Sequence, residues 1–319
     1  MCTAIFYKTN NSYFGRNLDL EYLYNETITI TPRNYTFKFR YEADIKSHYA
    51  IIGTAYVKDG YPLYYDAVNE SGLAAAGLNF PYNACYHEMC EGKINVAPFE
   101  LILYILGKCS NIDEVKKLLY SLNVIDADFS PQLPATPLHW LVSDKESSVV
   151  IESVKDGLKI FDNSYNVLTN NPPFDNQIKN LESYKDLSAD ETDVKVKDEY
   201  YSRATGAVGL PGDWSSMSRF AKAVFVRKNS ASCDDEYKSV SQFFHMLSSV
   251  EMVRGSVKIG DKYDATQYSN CFNLDKGICY YRKYDALGIS SVNMYKENLD
   301  GDELINYPMI TNTDIFQQN

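Results

Sequence analysis

The stretch Thr27-Ile28-Thr29-Ile30-Thr31-Pro32 alternates polar and apolar residues and stops at a proline, the mark of a half-buried strand with a defined end. Similar signals surround it. Residues 2–7 are rich in apolar side chains, Lys8-Thr9-Asn10-Asn11 is a turn cluster, and residues 12–17 resume with Tyr13 and Phe14. This pattern predicts a β-hairpin that begins at the second residue and brings Arg16 and Asp19 back toward it. Residues 50–57 predict another strand. A polar turn inside 66–73, followed by the small apolar run 74–79, predicts a second hairpin ending at Asn79. The period changes after Pro98. Phe99, Ile102, Ile105 and Leu106 recur at helical spacing, with Gly107 as the predicted stop. Ser110 and Asp113 form a capping-box pattern for a second helix through Leu118 and Tyr120.

Strands resume over 138–143, 148–154, 158–161 and 165–169, and Pro172-Pro173 closes the last of them. Helices are predicted from Ser216 and over 239–250, then strands around Asp275-Lys276-Gly277 and over 287–294. Alternating blocks of strands and helices fit two packed sheets with helices outside, an α+β layered protein. Residues 186–205 are acidic and aperiodic. They are read as a long loop within a single domain spanning 1–319, or 2–319 once Met1 is removed.

Composition changes this picture little. Of 319 residues, 45% are hydrophobic, enough for a substantial core, and the net charge of −11 argues against nucleic acid or an anionic membrane surface as partner. The first residues lack a basic segment followed by an apolar one, and no run of about 18 apolar residues occurs. A cytoplasmic protein without a membrane span is therefore expected. Seven cysteines at irregular spacing, without a Cys-x-x-Cys pair, predict reduced thiols rather than a disulfide framework. The four histidines are scattered, so no metal site is expected, and His139 within Leu138-His139-Trp140-Leu141-Val142 reads as a satisfied core residue.

Cys2 carries the most chemistry. Removal of Met1 would leave a residue bearing both a thiol, ordinarily near pKa ~8.5, and an α-amine that titrates near ~7.7–8.0. One residue could then supply nucleophile and base. The other reading of an apolar-strand cysteine at this position is a small buried hydrophobe.

The motifs Met1-Cys2-Thr3, Phe14-Gly15-Arg16-Asn17-Leu18-Asp19, Ala76-Gly77-Leu78-Asn79-Phe80, Leu168-Thr169-Asn170, Leu210-Pro211-Gly212-Asp213 and Ser218-Arg219-Phe220 resemble, in this order, those of the choloylglycine hydrolase family. That family contains bile salt hydrolases and penicillin V acylases. Leu138-His139-Trp140 and Asn298-Leu299-Asp300-Gly301 extend the likeness over nearly the whole chain. The resemblance implies a four-layer αββα N-terminal nucleophile hydrolase sandwich, often a homotetramer. It implies cleavage of glycine- or taurine-conjugated bile acids through a thioester on Cys2, with neither metal nor organic cofactor. Arg16 would stabilise the thiolate, Asp19 would orient the α-amine, Asn79 and Asn170 would bracket the oxyanion, and Arg219 would support the nucleophile's charge.

The substrate-binding residues expected are Leu18, Leu20, Tyr61 and Leu133, with the neighbouring Leu63, Tyr64 and Tyr65, and Ser202 and Arg203 from a specificity loop. Asn79 stands where penicillin V acylases tend to carry Tyr, which favours bile salts. The enzyme alternative is a penicillin V or other N-acyl amide hydrolase. The non-enzyme alternative is a bile-acid-binding protein with an unprocessed N-terminus.

Overall fold

In the computed structural model, the residues described are 1–191, the backbone of 195–196 and 199–200, 205–231, 233–313, 315 and 317–319. The chain opens with β1 (Cys2–Lys8), β2 (Ser12–Leu20), β3 (Thr27–Thr31), β4 (Ile51–Lys58), β5 (Tyr61–Asn69), β6 (Ala74–Asn79) and β7 (Ile94–Val96). Helices α1 (Leu101–Lys108) and α2 (Ile112–Tyr120) follow. Then come β8 (Leu122–Val124), β9 (Leu138–Ser143), β10 (Ser148–Val154), β11 (Gly157–Asp162), β12 (Val167–Leu168) and α3 (Phe174–Leu181). Short strands β13 (Lys195–Val196) and β14 (Glu199–Tyr200) precede α4 (Ser216–Asn229) and α5 (Glu236–Ser248). The chain closes with β15 (Val257–Ile259), β16 (Lys262–Asn273), β17 (Ile278–Lys283), β18 (Ala286–Asn293) and β19 (Ile305–Pro308).

Two antiparallel sheets form the centre. One has the order β12-β1-β2-β16-β17-β18, with β15 alongside β16; the other runs β11-β10-β9-β6-β5-β4-β3-β19. The sheets face one another, with β1 and β2 against β6. Ala4, Phe6, Phe14, Leu18, Ile52, Val68, Leu78 and Leu141 belong to one buried cluster that also takes in Phe220, Ala223 and Phe243 of the outer helices α4 and α5. On the far side of the eight-stranded sheet, α1 and α2 pack through Leu101, Leu103, Ile105, Val115 and Leu119 against Ala67, Ala75 and Val142. The layers are therefore helix, sheet, sheet, helix, as the resemblance implied. From Leu101 to Gly107 every residue of α1 is buried, which explains its apolar character on all sides.

Several boundaries differ from the sequence reading. Gly107 lies inside α1, which runs to Lys108 with Cys109 as its C-cap. The α2 cap is Asn111, whose side chain accepts the Glu114 N–H, while Glu114 reaches back to the Ser110 N–H at 2.7 Å. The box is present but set one residue later than Ser110 and Asp113. Helix α3, the twelve-residue length of β16, and β19 were not anticipated from the sequence. Of residues 165–169, only Val167 and Leu168 pair, with β1. The strands expected around Asp275-Lys276-Gly277 are β16 and β17, which these residues join.

Candidate active site

Strand register builds the site. In the β1–β2 hairpin Cys2 lies opposite Leu18 and Ala4 opposite Arg16. Residues directly across an antiparallel pair share a face, and successive residues alternate. Cys2, Arg16, Leu18 and Leu20 therefore point between the sheets, and Asn17 and Asp19 point toward the helices. The hydrogen bonds agree: Arg16 Nη1 donates to the Gly77 carbonyl across the sheets at 2.6 Å, whereas Asn17 Nδ2 donates to Leu247 O of α5 at 2.9 Å.

Cys2, Arg16, Leu18, Leu20 and Asn79 line one cavity of about 550 Å³. Its walls are mainly apolar and aromatic, with Tyr24, Tyr65, Phe99, Ile102 and Leu133 prominent. This is the composition and size range of a pocket for a small organic ligand. Leu63 and Tyr64 also line it. Tyr61 does not: at the start of β5, its ring packs against Phe99 and Phe129 at 5.9 and 5.6 Å and supports the wall from behind. Ser202 and Arg203 lie outside the described residues. The contributions of Tyr24, Phe99, Ile102 and Phe129 were not read from the sequence, because those residues are indistinguishable there from core.

The polar half of the site surrounds the start of β1. Cys2 N–H donates to Asn170 Oδ1 at 2.8 Å. The same oxygen accepts from Arg219 Nη2 at 2.8 Å, and Arg219 Nη1 donates to the Cys2 carbonyl and to Thr3 Oγ1. Arg219 is buried in the first turn of α4, whose N-cap Ser215 accepts the Ser218 N–H through its side chain. Burial lowers the Arg219 pKa, opposed by the charges of Asp19, Cys2 and Asp264. Beside the cap, hydrogen bonds from Ser215 and Ser218 hold the Asp213 carboxyl down at about 2.

Asn170 Nδ2 donates to the Asn79 carbonyl at 2.7 Å. The Asn170 Oδ1 thus holds the Cys2 N–H and Arg219 in place, and Nδ2 gives one of its two N–H bonds to the Asn79 carbonyl. The Asn79 side chain makes no hydrogen bond among the described residues and shares the cavity with Cys2. Gln177 and Ser216, neither singled out in the sequence, secure Asn170 further: Gln177 Nε2 donates to its carbonyl at 3.1 Å, and its N–H donates to Ser216 Oγ at 2.8 Å. His139 is a satisfied core residue as expected. It lies between Glu152 Oε1 and the Thr169 carbonyl, stacked on Phe80.

Asp19 is fully buried. Its Oδ1 accepts from Thr266 Oγ1 at 2.6 Å, and its Oδ2 has no partner. The Met1 amine donates to the Asp19 carbonyl and pairs with Asp264 Oδ2 at 3.1 Å; Asp264 Oδ1 is likewise unpartnered. Burial raises the Asp19 pKa against the pull of Arg219 and the terminal amine. Two buried carboxylates beside a chain terminus are suited to fixing an amine in one orientation. Asp264, some 250 residues away in sequence, has no local signal that would have revealed it.

A helix-covered pair of antiparallel sheets with a cysteine at the start of a central strand is the architecture of the N-terminal nucleophile hydrolases. The chain is 38% identical in sequence to a solved structure of the C2A variant of conjugated bile acid hydrolase from Clostridium perfringens, with a TM-score of 0.93 and full coverage of both chains. The penicillin V acylase structure from Agrobacterium tumefaciens shares the fold at a TM-score of 0.77, with 17% identity over 96% of this chain and 90% of that one. Residues 2–307 match the family model for linear amide C–N hydrolases, choloylglycine hydrolase family. The bile salt hydrolase/transferase of Lactiplantibacillus plantarum is 52% identical over the whole of both chains. The chain belongs to the choloylglycine hydrolase family and is an amide-hydrolysing enzyme. Among the described residues no helix is long and apolar enough to cross a membrane.

Proposed function

We propose that this enzyme hydrolyses the amide bond of glycine- or taurine-conjugated bile acids, with Cys2 as nucleophile after loss of Met1. The observation that carries the reading is the placement of the Cys2 thiol on the wall of a largely apolar cavity of about 550 Å³. A steroid body fits such walls, leaving its side-chain amide at the polar end. The names of the similar proteins from Lactiplantibacillus plantarum and Clostridium perfringens, both bile salt hydrolase/transferase, agree with it.

In this mechanism the Cys2 thiolate attacks the amide carbonyl, and the α-amine of Cys2 relays the thiol proton to the departing amine. The Asn79 amide donates to the oxyanion. Arg16 favours the thiolate, and Asp19 orients the α-amine. Asn170 and Arg219 hold the Cys2 backbone so that thiol and amine keep their relation. Water then attacks the thioester, and the bile acid leaves. Ser202 and Arg203 are proposed to contact the amino-acid end of the substrate. On the family resemblance, we also propose a homotetramer acting in the cytoplasm.

The test is amine release from glycocholate, taurocholate and penicillin V measured side by side, with intact-mass spectrometry of the same sample. Release from the bile salts by a chain that begins at Cys2 is expected. Turnover of penicillin V alone, or full activity in a chain retaining Met1, would overturn the proposal.

A further inference from the structure

Among the described residues, one buried carboxyl group that the expected site residues do not account for stands beside Arg16. Asp66 of β5 is fully buried in the layer between the sheets. Its Oδ2 accepts from the Tyr268 hydroxyl at 2.6 Å, and its Oδ1 accepts from Asn270 Nδ2 at 2.5 Å. Arg16 Nε lies 4.0 Å from Oδ2, with both side chains shut off from solvent. Asn270 closes the circuit: its Oδ1 accepts the Arg16 backbone N–H at 3.0 Å, while its Nδ2 also reaches Thr54 Oγ1. Groups from β4, β5 and β16, in two sheets, thus form one network beside Arg16.

Two irregularities aim these groups at each other. In β5 the register against β4 slips between Thr54 and Ala55, so that Asp66 faces Thr54 while Tyr64 faces Ala55. In β16 the register against β2 slips between Thr266 and Tyr268. Bulges of this kind re-aim side chains and recur beside active sites. One bulge sits next to Asp66 and the other next to Tyr268, in sheets that pack face to face.

The pairing leaves Arg16 constrained but not neutralised by contact. Nη1 is fixed by the carbonyls of Gly77 and Tyr65, and Nε lies toward the Asn17 carbonyl and Asp66. Nη2 is buried without a partner, on a residue that lines the cavity together with Cys2. The titratable groups acting on Arg16 are Cys2, Tyr268, Asp66 and Asp19. We propose that Asp66, braced by Tyr268 and Asn270, is a positioning residue that locks Arg16 with its free nitrogen turned to the Cys2 thiol. This rests on the proposed role of Cys2 as nucleophile.

The carboxylate could act in two opposite ways. As a bare negative charge near the thiol it would disfavour the thiolate, so its removal would ease Cys2 ionisation. As the anchor of Arg16 its removal would free the guanidinium and hinder ionisation. The rate of Cys2 alkylation by iodoacetamide against pH, followed by peptide mass spectrometry, separates them. For Asp66→Asn, alkylation at neutral pH slowed by roughly three- to tenfold, with the profile moved to higher pH and a parallel fall in glycocholate turnover, is expected. A profile unmoved, or moved to lower pH, overturns the inference. Tyr268→Phe removes one brace and keeps the ring. It is expected to shift the profile the same way by a smaller amount, and an unchanged profile there overturns the inference should Asp66→Asn fail to fold. If alkylation of wild-type Cys2 leaves turnover intact, the nucleophile reading itself falls, and the inference with it.

Discussion

At the scale of single residues, the candidate site divides between side chains open to the cavity and side chains bonded into the scaffold. Asn79 belongs to the first kind and Asn170 to the second. Their substitutions should therefore differ. Asn79→Ala is expected to lower kcat by about 10²–10³ with little change in KM, the signature of a donor used only in the transition state. Steady-state glycine release from glycocholate measures this. Asn170→Ala removes the acceptor shared by the Cys2 N–H and Arg219, and should cost stability as well as rate, read as a lowered Tm. Arg219 would then be a buried cation short of one partner, an expensive loss inside a protein.

Among the elements, the central hairpin tolerates no added bulk. A Cβ at Gly15 would lie 2.0 Å from the Asn270 carbonyl oxygen of β16. Gly15→Ala must push apart the two strands that carry Arg16 and Tyr268, and a loss of at least ~3 kcal/mol is expected in chemical denaturation. Ahead of α1, Glu100 accepts the N–H groups of Ala97 and Arg40 at 2.8 Å each, and burial raises its pKa. A carboxyl raised in the folded state binds more protons there than in the unfolded chain. Its stabilising contribution is complete below the ordinary carboxyl pKa and is lost as pH rises through the raised value. The stability advantage of wild type over Glu100→Gln should accordingly shrink with rising pH across that window, measurable as Tm against pH.

What could be read in the sequence follows from range. The hairpin of β1 and β2, the β5–β6 hairpin and the β9–β10 pair are set by neighbours and turns, so their existence was visible in the residue pattern, although β2 runs on to Leu20 and β5 begins at Tyr61 rather than near residue 66. The α2 cap was seen one position early because Ser110 and Asn111 are both good capping residues, and only the bond from Glu114 N–H distinguishes them. Cys2, Arg16, Asp19, Asn79, Asn170 and Arg219 were found through motif likeness, and the fold brings them together. Asp66, Asp264, Thr266 and Tyr268 were not, since each takes its meaning from a partner on a distant strand. Tyr61 was placed in the cavity with its sequence neighbours, but its ring packs behind Phe99 and Phe129, which themselves line the wall.

The molecule as a whole carries a charge of −11, while the proposed substrates are anions at neutral pH. Diffusional encounter then works against a repulsive field that salt screens over about 10 Å at 0.1 M. Raising ionic strength from roughly 0.01 to 0.15 M should increase kcat/KM for glycocholate modestly, about twofold. A steady fall instead would point to local cationic steering near the cavity mouth. For the proposed homotetramer, light scattering with size exclusion should give about four times the 36.3 kDa chain mass.

The Met1 amine, tucked among Asp19 and Asp264, bears on how the protein can be handled. With Cys2 as the proposed nucleophile, an affinity tag or fusion partner placed upstream of Met1 is expected to keep the Cys2 nitrogen locked in a peptide bond, leaving a folded but silent precursor. A protease cutting just before the cysteine would switch it on, so a purification handle belongs at the exposed opposite end, where Gln317–Asn319 project into solvent.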